Sequence, residues 1–162
     1  MPGDDPARTA AELALDAPPA AARHVVFRAG GDRCALPLEA VREVVVPQPP
    51  SARVPRAPAA VRGAMNLRGR VVAVVELGPL LGHAPDSLGP GQGHVLVLDR
   101  GRRGLGLLVS SVLGVEPLAP PLQGALEPDR LDRGAADARG VAVTVLDAEL
   151  LEARAAALFE PT

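Results

Sequence analysis

The side chains that could carry out chemistry are few and widely spaced in this chain. It has three histidines, His24, His83 and His94, and a single cysteine, Cys34. The histidines do not have the short spacing by which such residues bind a metal ion, and Cys34 has no partner cysteine. The pattern therefore argues against a metal site and an internal disulfide, and one cysteine fits a reducing compartment.

Motifs for nucleophilic catalysis and for phosphate binding are also missing. No G-x-S-x-G sequence surrounds a serine, and Ser110 and Ser111 lie in an apolar run that predicts strand packing. The sequence RGRRGLG, which starts at Arg100, lacks the glycine spacing of a dinucleotide fingerprint and leads into a predicted strand, not a helix. We interpret it as a hairpin turn, and we predict no catalytic residue and no cofactor.

The basic cluster of Arg100, Arg102 and Arg103 raises one alternative, a small β-barrel that binds single-stranded nucleic acid. Such barrels stack bases on exposed aromatic rings, and this chain has no Trp, no Tyr and only two Phe. A formal net charge of −2 also gives no general attraction to nucleic acid or to an anionic membrane. We therefore expect no nucleic-acid partner.

The polar residues with the clearest structural role surround a predicted tight turn in the sequence VRGAMNLRGRVVAVVELGPLLG, residues 61–82. Arg68 and Gly69 form the corner, because Gly accepts the positive φ that many tight turns need. Asn66, the only Asn in the chain, is expected to brace this turn through its side chain. The apolar, β-branched run over 71–75 predicts a buried strand.

Short apolar runs bounded by turn residues predict further strands. They cover residues 24–29, 33–37, 41–46, 94–99, 105–110, 112–118 and 141–146. Asp147 is placed to cap a closing helix that runs through Leu158. Residues 1–22 are expected to form a disordered tail, and residues 119–139, rich in Pro, Gly and charge, a long irregular excursion.

Two segments of the chain are similar to each other. VVAVVELGPLL (71–81) and VAVTVLDAELL (141–151) each read as an apolar strand followed by a short helix that ends in Leu-Leu. Two related halves would explain this match. Many short strands at close spacing predict an all-β sandwich or barrel, and none is long enough for one wide barrel. We predict two small five-stranded barrels packed together, with short helices and a C-terminal helix.

The residues around the central turn resemble the signature of the CheW family, the bacterial chemotaxis coupling proteins. The matching residues are Pro55, Pro58, Gly63, Asn66, Leu67, Arg68, Gly69, Leu77 and Gly82. The resemblance extends over residues 23–152. The chain departs from the family at four positions where an aromatic residue, Pro, Asp and Arg are usual: Ala60, Ala73, Glu76 and Gly78.

The resemblance implies a single CheW-like domain over residues 23–158, made of two SH3-like β-barrels. Sub-barrel one would comprise residues 23–82 and 140–158, and sub-barrel two residues 83–139. It also implies a non-enzymatic cytoplasmic adaptor, monomeric in isolation and not inserted in the membrane. Its partners would be the regulatory domain of a CheA-type histidine kinase and the cytoplasmic tip of a methyl-accepting chemoreceptor, within receptor arrays. A coupling protein of a non-flagellar chemosensory pathway is the alternative within the family.

The resemblance also points to a receptor-side groove. The residues that match this groove by position are Val41, Glu43, Val44, Gly63, Asn66 and Arg68. Within it, the family pattern places Glu43 near Arg68, and we expect these opposite charges to form a partly desolvated ion pair.

Overall fold

The structure is a computed structural model, and it describes residues 21–47, 58–89, 91–98, 104–121 and 130–159. Residues 1–20 of the expected tail and the predicted turn at 100–103 lie outside these ranges. Strand accounts for 57% of the described residues, which confirms the predicted all-β class. The first strand begins at Ala22, so the last residue of the expected tail is part of the folded domain.

Within the described ranges the chain forms ten strands and two α-helices. The strands are β1 (Ala22–Ala29), β2 (Asp32–Pro37), β3 (Val41–Val45), β4 (Val61–Leu67), β5 (Arg70–Glu76), β6 (His94–Leu98), β7 (Gly104–Val109), β8 (Ser111–Leu118), β9 (Asp132–Ala138) and β10 (Val141–Leu146). The helices are α1 (Leu77–Leu80) and α2 (Ala148–Ala157), and one 3₁₀ turn covers Leu38–Ala40. Apart from β9, these elements lie close to the predicted ones, because each apolar run ends at a turn residue.

The strands form two five-stranded sheets of the same design. Sheet I has the order β8-β1-β2-β10-β9 and sheet II the order β3-β6-β7-β5-β4. In each sheet two antiparallel hairpins meet through a central parallel pair, β2 with β10 in sheet I and β7 with β5 in sheet II. The similarity between the two segments that end in Leu-Leu therefore reflects equivalent positions, β5 with α1 and β10 with α2.

The observed pairing groups the strands differently from the two predicted sub-barrels. The expected second sub-barrel, residues 83–139, takes in β8 and β9, which in the structure are the two edges of sheet I. Conversely, β3, β4 and β5 fall in the expected first sub-barrel but belong to sheet II. Sequence order alone does not reveal this, because a sheet pairs strands that are far apart along the chain.

The apolar side chains form one shared core and two smaller ones. The shared core lies between the sheets and includes Phe27, Leu36, Leu77, Leu96 and Leu151, which are fully buried. Each sheet also covers a small cluster of its own, mainly Val side chains, on its other face. A sheet with apolar side chains on both faces needs both faces covered. Strands such as β7 therefore have no exposed position.

Strand β9 was not expected, since residues 119–139 read as an irregular excursion. Its sequence, DRGAADA, consists of residues with low strand propensity, and its burial alternates between half-buried and exposed positions. Pairing with β10 provides the backbone hydrogen bonds that hold it as an edge strand. The prediction was therefore wrong for residues 132–138, because tertiary pairing overrides weak local propensity.

Candidate partner-binding seam

The predicted central turn forms as expected, and it has an unusual backbone. Arg68 and Gly69 both have positive φ, 52° and 85°, and link β4 to β5 by a two-residue turn. This is the geometry that suits the right-handed twist of a hairpin. Asn66 accepts a hydrogen bond at 2.8 Å from the backbone N–H of Gly69 through its side-chain oxygen, so it does brace the turn.

Arg68 joins the two edge strands of sheet II. Its Nη1 and Nη2 atoms donate hydrogen bonds of 3.1 and 2.9 Å to the two carboxylate oxygens of Glu43 on β3. Because β3 and β4 are the outermost strands, the sheet must curl until its edges come within side-chain reach. We call this place, where β3 meets the β4–β5 turn, seam II.

The Glu43–Arg68 pair that the resemblance implies is confirmed, with less desolvation on one side than expected. The Glu43 side chain is 21% exposed, but the Arg68 side chain is 74% exposed. The fork-shaped guanidinium matches both carboxylate oxygens and so fixes the relative orientation of the two side chains. Because the arginine is exposed, the pair adds little to the stability of the fold. Arg68 thus remains accessible to a partner while its position is set by Glu43.

Exposed apolar side chains flank seam II. Val44 follows Glu43 on β3 and is exposed, as is Val46 just beyond the strand. Val71, which lies opposite Asn66 on β5, is 73% exposed. Residues directly opposed in a ladder share a face of the sheet, so Asn66 and Val71 point to the same side. Seam II therefore combines a fixed ion pair, an amide and several accessible valines.

Two of the six residues assigned to the groove do not reach the surface. Val41 is 9% exposed and packs in the shared core beside its ladder partner Leu98. Gly63 is buried at a bulge in β4, where its φ of 133° suits a glycine. The structure brings Glu43, Val44, Asn66 and Arg68 to the surface of seam II and assigns the other two to the interior.

Sheet I contains an arrangement equivalent to seam II, and the sequence did not lead us to predict it. Arg139, also in the left-handed region at φ 51°, precedes Gly140 in the β9–β10 turn. Its Nε atom lies 3.2 Å from the carboxylate of Glu116 on β8, the opposite edge strand of sheet I. We call this place seam I. The signal was the Arg139-Gly140 pair directly before the second of the two similar segments, since Arg68-Gly69 lies just before the first.

The equivalence of the two halves breaks down at the start of the helices. Asp147 caps α2 by accepting a 3.0 Å hydrogen bond from the backbone N–H of Leu150, and it pairs with Arg133 from the bulge of β9. Glu76 has the same place before α1, but it makes no capping bond. Pro79 occupies the position of Leu150 and has no N–H to donate.

The described residues show few features of a reaction centre. They contain no group of three or more His, Cys, Asp and Glu side chains arranged to hold a metal ion. Burial, and to a smaller extent the charge of Asp32, raises the pKa of the Cys34 thiol to about 12, which makes it a poor nucleophile. In the same part of the chain, no helix has the length and apolar character to cross a membrane.

Comparisons with known proteins agree with this architecture. The chain is 35% identical over 89 residues to a probable chemotaxis protein CheW of Rhizobium etli, a match that covers 54% of this chain and 56% of that protein. The chain thus matches about half the length of this relative. The crystal structure of the scaffolding protein TtCheW from Thermoanaerobacter tengcongensis has the same fold, with a TM-score of 0.63 at 21% identity over 78% of this chain and 89% of that one. A family model of the CheW-like domain matches residues 23–155, which include both sheets and both seams, and the chain therefore belongs to the CheW family.

Proposed function

We propose that this chain is a non-enzymatic adaptor that couples a chemoreceptor to a CheA-type histidine kinase in chemotaxis or a related chemosensory pathway. The observation that carries the proposal is seam II, where Arg68 is held by Glu43 beside exposed valines. Family membership supports the general role of a scaffold, and the seam supplies a surface suited to it. In this role the protein acts in the cytoplasm and is recruited to receptor arrays.

Seam II has the features of a surface that recognises a protein. Apolar side chains supply area that is removed from water on binding, while a few fixed polar groups determine orientation. The Val44 and Val71 side chains provide the apolar area. Asn66 and the Arg68–Glu43 pair provide the fixed polar groups. We assign the receptor tip to this surface, because four of these five residues, all except Val71, match receptor-side positions of the family.

The kinase requires a separate surface if the two partners are bound at once. We assign the contact of its regulatory domain to apolar strand edges away from seam II. The edge strand β8 exposes Leu113 and Val115 and is the most apolar candidate. With a net charge of only −2, long-range steering is weak, so kinase binding should depend only modestly on salt.

A reconstitution with purified partners tests the proposal. Kinase autophosphorylation is measured with the cytoplasmic receptor fragment alone, with this chain alone, and with both. We expect a clear rise only when all three proteins are present, because an adaptor acts by bringing the other two together. A chain that binds neither the kinase nor the receptor fragment in a titration would overturn the assignment.

A further inference from the structure

A short strap, residues 83–89, ties the helix of sheet II to the first hairpin of sheet I. Among the described residues, three polar contacts tie it to β4 and to the first hairpin. The backbone N–H of Gly30 donates to the Asp86 carboxylate at 3.1 Å, and Arg62 donates to the carbonyl of Leu88 at 3.0 Å. His83 lies 2.8 Å from the Asp32 carboxylate. The strap therefore links β4 with the β1–β2 turn across the boundary between the sheets.

Glu76 lies beside this strap, and its side chain makes no hydrogen bond. Its exposure is 0%, and neither carboxylate oxygen has a hydrogen-bond partner among the described residues. The first turn of α1 offers no donor at the third position, because that residue is Pro79. A buried carboxylate without donors is costly, whereas the protonated, neutral form is much less so.

Two charged groups face Glu76 from the elements packed against it. The Nη1 atom of Arg62 on β4 lies 3.8 Å from the Oε1 atom of Glu76, whereas its Nη2 atom donates a hydrogen bond to the carbonyl of Leu88. Asp86 of the strap presents a like charge, although its backbone N–H lies close enough to favour the carboxylate slightly. Burial is the largest cause of a raised pKa at Glu76, with Asp86 adding to it and Arg62 opposing it.

We propose that the protonated Glu76 carboxyl keeps the strap in place, and that its ionisation releases the strap. Loss of the proton to solvent leaves a carboxylate that repels Asp86 and attracts Arg62. The first effect weakens the bond from Gly30, and the second draws the guanidinium away from Leu88. The Gly30–Asp86 and Arg62–Leu88 hydrogen bonds are thus both weakened when Glu76 loses its proton. This device is independent of the adaptor role.

The direction of the pH dependence follows from the raised pKa. A carboxyl whose pKa is higher in the folded than in the released state stabilises the strap at low pH, and this contribution is lost as the pH rises through the folded value. Opening of the strap should increase by about tenfold for each unit by which the pKa is raised. The remaining contact, between His83 and Asp32, does not involve Glu76 and has to be separated from this effect.

The test follows two NMR signals of the full chain between about pH 3 and 8.5, a range that contains the ordinary titration of a Glu side chain. The carbon-13 shift of the Glu76 carboxyl reports its protonation, and hydrogen exchange of the Gly30 amide, corrected for intrinsic rate, reports strap opening. We expect the carboxyl to titrate above its ordinary range and the Gly30 protection to fall over the same interval. In Glu76→Gln, which keeps His83, the protection should no longer change with pH.

Glu39→Gln is the matched control, because Glu39 is exposed on the 3₁₀ turn and the same chemical change there should leave the Gly30 profile intact. An ordinary carboxyl titration in the unmodified chain would overturn the proposal, and this measurement needs no variant to fold. So would a raised titration with unchanged Gly30 protection, or a pH dependence that persists in Glu76→Gln, which would assign the effect to a group other than Glu76.

Discussion

The guanidinium of Arg139 lies 3.2 Å from the carboxylate of Glu116 and so joins the two outermost strands of sheet I. Arg68 and Glu43 do the same for sheet II. In both cases the arginine is in a left-handed turn conformation, φ 51° and 52°, followed by glycine. The same device therefore curls both sheets, and the receptor is proposed to bind only at seam II.

This repetition provides an internal control for receptor binding. We expect Arg68→Ala to weaken binding of the receptor fragment at least about tenfold, because loss of a fixed, charge-assisted contact is worth over 1 kcal/mol. Arg139→Ala removes a similar pair from seam I and should bind the receptor as the unmodified chain does. Titration of both variants against receptor fragment and kinase checks this. Equal loss in the two variants, or normal receptor binding by Arg68→Ala, would contradict the assignment of seam II.

The Arg68–Glu43 pair should contribute little to folding. Because the arginine is mostly exposed, each single alanine variant is expected to lose about 0–1 kcal/mol of unfolding free energy. The double variant should lose less than the two single losses added together, since either change already breaks the pair. Urea unfolding of the four proteins in this cycle measures the coupling. A loss of several kcal/mol in either single variant would show that the pair supports the fold itself.

Gly30 and Gly31 form a matched pair for testing the contact between the strap and the first hairpin. Both have positive φ, 60° and 85°, so an alanine at either position should cost about 1–2 kcal/mol. A side chain at Gly30 would also approach the His83 ring to 2.7 Å, whereas Gly31 has open space around it. Gly30→Ala should therefore lose about 1–3 kcal/mol more than Gly31→Ala in unfolding free energy. Similar melting curves for the two variants would rule out this close approach.

Gly106 on β7 leaves room for Val95 in the small core of sheet II. A methyl group there would come within 2.5 Å of the Val95 side chain, which is itself fully buried. We expect Gly106→Ala to lower the unfolding free energy by about 1–3 kcal/mol through overpacking. Val95→Ala in the same chain should recover part of the loss, although it is destabilising alone. Chemical unfolding of both single variants and the double variant tests this, and strictly additive losses would contradict it.

Cys34 should report global unfolding. The pKa of its thiol is raised to about 12, mainly by burial, so almost no thiolate is present in the folded protein near pH 8. Alkylation by iodoacetamide should be very slow in the native state and fast in denaturant. Because the chain has one cysteine, mass spectrometry gives the labelled fraction directly. Rapid labelling under native conditions would show that the region around β2 opens independently.

The parts of the fold that could be predicted are those with a strong local signal. Arg68-Gly69 between apolar runs predicts a hairpin, and Asn66 within reach of the turn predicts its brace. Asp147 before a helical pattern predicts a cap. In each case the chemistry that decides the conformation lies within a few residues, so sequence order is sufficient.

The rest depends on contacts between distant residues. The strand at 132–138 has little propensity of its own, and its partner β10 determines its conformation. The burial of Val41 depends on the sheet that covers it. The missing cap at Glu76 is the exception, because the donor is lost at Pro79, only three residues further along the chain. The exchange of strands between the predicted sub-barrels is a question of pairing, which no local pattern encodes.

That exchange of strands sets an order of assembly for the protein. Sheet II comes from one continuous stretch, residues 41–109, whereas sheet I takes its first hairpin from before that stretch and β8, β9 and β10 from after it. On the ribosome the β1–β2 hairpin emerges first, but Cys34 meets its ladder partner Thr144 only when most of the chain has been made. An isolated hairpin is barely stable in water. The apolar side chains of Phe27 and Leu36 are thus exposed to chaperones and to neighbouring nascent chains throughout synthesis of sheet II.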